Sequence, residues 1–585
     1  MSRDYFRVME VNVGTGRCKL HRIEGRASAV GGSGLAALLF DHFGSVSDPW
    51  DHEGQPFILS IGPLTGAFPL MSKTVAAFKS PYHNQYTESH AGGRSALALR
   101  FADLDALVIT GRAPTLSCIE IGSRSFSMRD VSFMKGMDAY AAGKLLRSMS
   151  RGGSGHRSIL RIGQSGEVGS AMACVNADTY RHFGRLGAGA VLGAKNIKGI
   201  IIHGDSSYQL PEGREYRKLF KEIYHGVTGT SMMKKYHSLG TPANLQSLND
   251  LESLPWRNLQ QTSDDQGIKG VNGQRFADDV LLRNGACSGC PVGCIHIGYV
   301  REKFQADNRY VYKQIAYDYE PIFACGTMLG ITNAFDVLNI MDVMEKVSID
   351  SISGGVALAW ATEATERGIV SERETVVPLK FGDADAYRKA ALYLGTAANE
   401  FYALLGKGTM RAAAEYGGEE FACVLGQEMA GYATGELFFA AQSLGFRHSH
   451  LDTGAYSYDQ KHDERDVKKA ADYLMNDEPG RCLLTSMVAC LFSRTVYKPD
   501  ILADCLKVMG YDDVLESFET AGERIRRHRW KIRFATGFRP DDIVLPKRFY
   551  SVKTWKGPVD AEYLNRLKQE YGKRLVRLVG EKVES

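Results

Sequence analysis

The spacing of apolar residues changes character once along the chain. Up to about residue 205, apolar positions either alternate with polar ones, as Phe6, Val8, Val11 and Val13 do, or stand in short runs at 57–61, 107–110 and 200–202. Alternation predicts strands with one buried face, and short unbroken runs predict strands buried on both. Glycine punctuates these runs and predicts tight turns between them. Helices are expected over 34–43 and 139–149, which makes residues 1–207 a β-rich, sheet-based α+β domain. The polar stretch Asp205-Ser206-Ser207-Tyr208-Gln209-Leu210-Pro211-Glu212 ends that pattern before a helix starting near Glu215.

Beyond it a helical period takes over, in 333–346, 356–367, 386–405, 481–492 and 501–509. Two mainly α-helical domains are expected, 208–406 and 407–585, with the junction near Lys407-Gly408. The polar segment 250–279 reads as a long irregular connection. There is no internal repeat.

Composition narrows the function classes. A chain of 585 residues that is 44% apolar can bury a large core. Its net charge is only +4, from 71 basic and 67 acidic side chains, which gives no general attraction to nucleic acid or an anionic membrane. No apolar run reaches bilayer length, and the start of the chain, Met1 to Arg7, has no leader-like apolar core. The expectation is a cytoplasmic protein with no membrane span and no nucleic-acid partner. One basic block, Arg524 to Arg533, reads as the solvated face of a late helix, or more sharply as a docking patch for an acidic electron-transfer protein.

The chemistry concentrates in Cys287-Ser288-Gly289-Cys290-Pro291-Val292-Gly293-Cys294. Three thiols at Cys-x2-Cys-x3-Cys spacing, separated by small residues and proline, can wrap one compact inorganic group. A [4Fe-4S] cluster takes four thiolates, often three from a local run and one from far away, and Cys490 is the candidate for the distant one. Structural zinc, with His296 as fourth ligand and no redox role, is the competing reading. Radical enzymes that cleave an adenosyl cofactor space their thiols in the opposite order. Isolated cysteines in apolar runs, such as Cys174 and Cys423, read as small buried hydrophobes.

Together with these thiols, the chain resembles the aldehyde ferredoxin oxidoreductase family nearly end to end. The resemblance is carried by 8–16, Val30-Gly31-Gly32-Ser33-Gly34-Leu35, Gly62-Pro63-Leu64-Thr65-Gly66, Lys79-Ser80-Pro81, 184–196, and Leu545-Pro546-Lys547-Arg548-Phe549. It implies a [4Fe-4S] cluster on Cys287, Cys290, Cys294 and Cys490. It also implies tungsten, or molybdenum, held by the dithiolene sulfurs of two pterins in the first domain. Magnesium would bridge the pterin phosphates near the carbonyls of His90 and Gly92, where the family has asparagine and glycine. Lys73 stands where the family sets an arginine against those phosphates, and Arg181, His182, Gly184 and Arg185 fall in neighbouring contact segments. Glycine-rich 184–193 is expected to offer backbone N–H groups to phosphate. Two further pterin segments fall on Glu345 to Asp350 and Thr485 to Cys490, with the family's glycines replaced by Ser348 and Val488.

For catalysis the resemblance points to Glu320 and His450, which would manage protons during oxidation of an aldehyde to a carboxylic acid. Electrons would leave through the cluster to ferredoxin or a ferredoxin-like subunit, and a homodimer is compatible with the family. Asp452, His448 and Cys325 depart from the usual pattern nearby. One family branch reduces aryl-CoA thioesters with a cysteine on the metal, and Cys325 is the residue here that could play that part.

Overall fold

Phe6–Asn12 forms the predicted strand, although it buries residues on both faces and not on one. It pairs antiparallel with Arg17–Ile23 and parallel with Ala106–Thr110, and that centre extends into a six-stranded sheet through Phe57–Ser60, Thr74–Lys79 and Tyr86–Ala91. A second six-stranded sheet runs from Arg181–Phe183 through His156–Arg161 and Ile197–Gly204 to Phe126–Asp130. One apolar core lies between the two sheets, where Val11, Leu59 and Phe78 meet Ile121, Leu160 and Ile200. The opposite face of the first sheet packs through Val8, Ile58 and Val108 into a second core that extends to Trp360 and Leu578. This is a computed structural model describing residues 3–150, 156–303 and 309–580.

The rest is mainly helical, with three departures from expectation. The helix expected over 386–405 is two, Ala384–Thr396 and Glu400–Leu405. Ala397 turns left-handed at φ 50°, and Asn399 restarts the helix by accepting from the Tyr402 N–H. The helix expected over 481–492 runs from Val467 to Ser486, capped by Asp466, with Pro479 inside it. Cys490 follows in irregular backbone, which can be aimed as a helix cannot.

The connection 250–279 is more ordered than expected, since it contains the helix Gly273–Asp279, capped by Asn272. Directly after it comes an antiparallel sheet of Leu281–Gly285, Ile295–Lys303 and Tyr310–Tyr317. Its outer strands are largely exposed, and although Tyr310–Tyr317 is rich in Tyr, Val and Ile, its apolar residues do not alternate with polar ones as a half-buried strand's would. The cysteine run is the connection between its first two strands. Among the described residues, no single helix is long and apolar enough to cross a membrane.

Candidate functional site

Residues 70–73 stitch together the two segments that supply the thiols. The Leu70 N–H donates to Gly289 O in the cysteine loop, while Leu70 O accepts from the Cys490 N–H at 3.0 Å. The Lys73 N–H donates to Val488 O, and Met71 bridges Ala489 in antiparallel fashion. On the other side, the Ser288 N–H donates to Gly93 O. Val488 adopts φ 55° and Ser348 φ 62°, the left-handed conformation for which the family's glycines are suited. Each keeps it within fully buried surroundings.

Cys287, Cys290, Cys294 and Cys490 accordingly line one cavity of about 420 Å³. Among the described residues, no three His, Cys, Asp or Glu side chains form a group that would hold a single metal ion. His296 does not join the thiols, because its ring faces the carbonyls of Ser238 (2.7 Å) and Cys294 (3.2 Å).

Gly92 is the meeting point of the cysteine loop and a cationic cradle. A Cβ there would lie 2.6 Å from Cys287 Sγ, 3.7 Å from Lys73 Nζ and 3.8 Å from Arg181 Nε, so only glycine fits. Burial would raise the Cys287 thiol, but the charges of Arg181 and Lys73 outweigh it and hold it below the ordinary range. Without such neighbours, burial pushes Cys290 up to about 12. Burial also takes Cys294 to about 11, with Arg181 opposing.

Further around the wall, Arg185 donates to Asp350 Oδ2 at 3.2 Å and to Glu428 O at 2.5 Å. Asp350 caps the helix Ser351–Glu366. Arg181 Nε and Arg185 Nη1 remain buried without a protein partner. Such donors need an acceptor, and the cavity they line can supply one. Gly184 also lines it and has only Asp350 Oδ1, at 4.0 Å, near the place of a Cβ. The rest of that glycine run does not face the cavity. Gly187, Gly189 and Gly193 pack against Pro81, Cys174 and Gly166, so their smallness serves close chain packing and not phosphate. The His182 imidazole Nε2 lies 2.8 Å from Glu345 Oε2.

Glu320 and His450 also face this cavity and touch each other, with His450 Nε2 3.0 Å from Glu320 Oε1. The Tyr432 hydroxyl donates to the same oxygen at 2.9 Å. Burial works against the Glu320 charge, but the His450 and Tyr432 hydrogen bonds hold its carboxyl below the usual range. His450 Nδ1 is buried and has no protein partner. Asp318, two residues upstream, lines the cavity too, and burial with the nearby Glu320 charge lifts it to about 7. Its spacing from Glu320 was the only sequence signal for it.

Folded Asp318 therefore keeps its proton up to about pH 7, whereas the unfolded chain releases it near pH ~4. Stability should fall as pH rises through that window, by the order of 2–4 kcal/mol. Asp318→Asn is expected to remove that loss. Melting curves at pH 5 and pH 8 check it: the variant should gain on the native protein at pH 8 only.

Beneath the cradle lies a layer of buried charge. Glu88, fully buried, accepts from Arg529 Nε at 2.6 Å and Nη2 at 3.0 Å, from Ser33 Oγ at 2.7 Å, and from His90 Nε2 at 2.9 Å. Burial pushes the His90 imidazole down to about 4, so it is neutral and accepts from Arg447 at Nδ1. Arg529 belongs to the basic block, and with Arg526 and Arg533 it is buried. The reading of that block as a solvated face holds only for its other side, Arg524, Arg527, His528 and Lys531.

Burial opposes the Glu88 charge, yet Arg529 and His90 hold its carboxyl down at about 2. Its contribution is complete above the unfolded value near pH ~4.5 and is lost as pH falls toward 2. Glu88→Gln leaves the guanidinium unpaired and should cost about 3–5 kcal/mol at pH 7, read as a lowered denaturation midpoint.

Cys325 is buried with its Sγ 3.6 Å from Met344 Sδ and is not among the residues that line the cavity. Asp452 is likewise structural, accepting from Arg447 N and Nε. Cys174, read as an inert thiol, is buried but does line the cavity. Tyr432 and Tyr456, stacked with centroids 4.6 Å apart, were not foreseen.

Comparison with known proteins covers most of the chain. Residues 8–204 match the model "Aldehyde ferredoxin oxidoreductase, N-terminal domain", and 218–574 match "Aldehyde ferredoxin oxidoreductase, domains 2 & 3". The chain is 26% identical to the tungsten-containing aldehyde ferredoxin oxidoreductase of Pyrococcus furiosus, covering 95% of this chain and 93% of that one. It is 29% identical to the WOR-like subunit of an aliphatic sulfonate oxidoreductase from the same organism, over 66% of this chain and 62% of the relative. Among solved structures, the active-site complex BamBC of benzoyl coenzyme A reductase has the same fold, with a TM-score of 0.81 at 16% identity, covering 98% and 95% of the two chains.

Proposed function

This chain belongs to the aldehyde ferredoxin oxidoreductase family, and on that premise we propose that it oxidises an aldehyde to a carboxylic acid with a tungsten or molybdenum bis-pterin and one [4Fe-4S] cluster. The reaction RCHO + H2O → RCOOH + 2 H⁺ + 2 e⁻ sets what the site must do. It must hold a carbonyl and a water, accept two protons, and release two electrons to a ferredoxin or ferredoxin-like subunit.

The residues fit those groups. Cys287, Cys290, Cys294 and Cys490 would hold the cluster, with soft thiolate donors that suit iron. Lys73, Arg181 and Arg185 would hold the pterin phosphates, which would supply the acceptor missing from the two orphaned guanidinium nitrogens. The carbonyls of His90 and Gly92 are the candidates for the bridging magnesium, and Gly184, His182 and Asp350 for contacts along the pterin. When bound, the pterin metal supplies a two-electron acceptor, and the cluster a route out for single electrons.

The observation that carries the reading is the contact between His450 and Glu320 on the wall shared with the thiols. Glu320, kept ionised, fixes His450 with Nε2–H toward itself and leaves the Nδ1 lone pair unoccupied. That nitrogen can take a proton from water as it attacks the carbonyl, and the Glu320 charge stabilises the imidazolium that results. Tyr432 fixes the carboxylate, and the stacked Tyr432 and Tyr456 rings give the substrate an apolar wall.

Anaerobically purified protein should contain tungsten or molybdenum together with iron, and should reduce a viologen dye when given an aldehyde. Absence of both heavy metals would exclude this function. Reduction of an aryl-CoA thioester with no aldehyde oxidation would replace it by the other branch, although the burial of Cys325 weighs against that. Zinc in place of iron would point to a non-redox scaffold.

A further inference from the structure

Three stretches of chain surround the four thiols: 223–249, 280–301 and 479–499. Together they contain seven Lys and Arg residues and no Asp or Glu, in a protein whose two signs of charge nearly balance. The nearest carboxylates in sequence are Glu222, Asp250, Asp278 to Asp279, Glu302, Glu478 and Asp500, all just outside. These three stretches are therefore net positive although the whole molecule is close to neutral.

The stretches meet in space. Tyr236, in the helix Ser231–His237, stacks on Phe492 at 3.8 Å with an interplanar angle of 14°. Phe492 lies two residues after Cys490. The adjoining His237 shares a 2.8 Å hydrogen bond with Val292 O inside the cysteine loop, and Asn284 donates to His237 O. Arg494 holds the end of the Cys490 segment by donating to Leu491 O. Lys234 and Lys235 flank the stacked pair on the same short helix, and Lys498 begins the next one. All three lysines are exposed, and none makes an ion pair among the described residues.

We propose that this rim, Lys234, Lys235, Arg494 and Lys498 around the Tyr236–Phe492 stack, is the docking surface for an acidic iron–sulfur electron carrier. The inference rests on the function proposed above, since it takes the four thiols as the exit point for electrons. Charge complementarity selects the occupant: unpaired cations around a partly buried aromatic pair suit a partner that is acidic at its rim and apolar at its centre. The exposed side of the other basic helix, Ala521–Ala535, fits such a partner less well. His528 there pairs with Asp41, Glu523 pairs with Arg526, and Arg524 is spent on the carbonyls of Ala27 and Ser28.

The test compares the triple variant Lys234→Glu, Lys235→Glu, Lys498→Glu with a control, Arg527→Glu, Lys531→Glu, in the full-length holoenzyme. The probe is a strongly acidic bacterial ferredoxin, whose binding is measured by titration calorimetry and whose reduction is followed during aldehyde turnover. A neutral dye acceptor is run in parallel. At low ionic strength the triple variant should bind the ferredoxin and reduce it at least about tenfold less well, with dye turnover unchanged, and the gap should close in high salt. The control should match the native enzyme. Equal losses in both variants, or none in the triple variant, would overturn the docking surface. Dye turnover failing in the native protein would instead sink the proposed function, while calorimetry would still decide whether the rim binds an acidic carrier.

Discussion

Glu320→Gln is expected to lower kcat by about 10²–10⁴-fold with KM changed only a few-fold, measured with a dye acceptor so that carrier docking plays no part. The substitution keeps the shape of the side chain but removes its charge. In the native protein that charge fixes the His450 tautomer through the 3.0 Å contact and makes the imidazolium affordable once Nδ1 has taken a proton. A neutral amide does neither, and its NH2 group can turn toward Nε2 and reverse the tautomer. Because the imidazolium exists only along the reaction path, the loss should fall on kcat. Tyr432→Phe, which keeps the ring wall and removes one of the two donors to Glu320, should cost much less. A Glu320→Gln enzyme within threefold of native kcat would remove this pair from the chemistry.

Cys490→Ala should abolish turnover with every acceptor and cut the iron content per chain to well under half, while tungsten or molybdenum is largely retained. The reasoning is geometric. Three ligands come from one loop and the fourth from a distant segment held beside it by residues 70–73 and by the helix Ser231–His237. Removing the fourth leaves an open iron site that solvent can attack. Backbone bonds at Leu70 and Lys73 do not involve the Cys490 side chain, so the fold around the pterin cradle should persist. Cys174→Ala, which removes another thiol lining the cavity, is the control and should keep full iron. An alanine variant at 490 that still held a complete cluster would move the ligand elsewhere.

Some of this was readable before any coordinates. The apolar residues around Val8 marked its strand, but not with one open face: Phe6 and Val8 enter one core and Met9 and Val11 the other, so both faces of the sheet are buried. The helix ending at Ser486 was placed too late, since Pro479 and a polar first half hide its period. The sheet formed by Leu281–Gly285, Ile295–Lys303 and Tyr310–Tyr317 departs from the helical expectation, because the Tyr, Val and Ile of its last strand are largely exposed and show no period-two alternation. Asp318 escaped notice for another reason: its raised affinity for a proton comes from burial beside Glu320, and a carboxylate looks the same in a sequence whether buried or not.

The amino-acid sequence alone determined which atoms are available for chemistry: the spacing of three thiols, a distant fourth, and the acid and imidazole that face them. The thiol spacing follows from short-range order, which the chain carries without folding, whereas Glu320 and His450 were picked out only by the resemblance to the family. Tertiary structure decided which charges are left without partners. Arg529 and Arg533 were drawn into the core and Lys234 and Lys498 left in water, although all four are equally basic on paper. Burial is set by packing between segments hundreds of residues apart, as when Glu88 meets Arg529, and that pairing has no local signature.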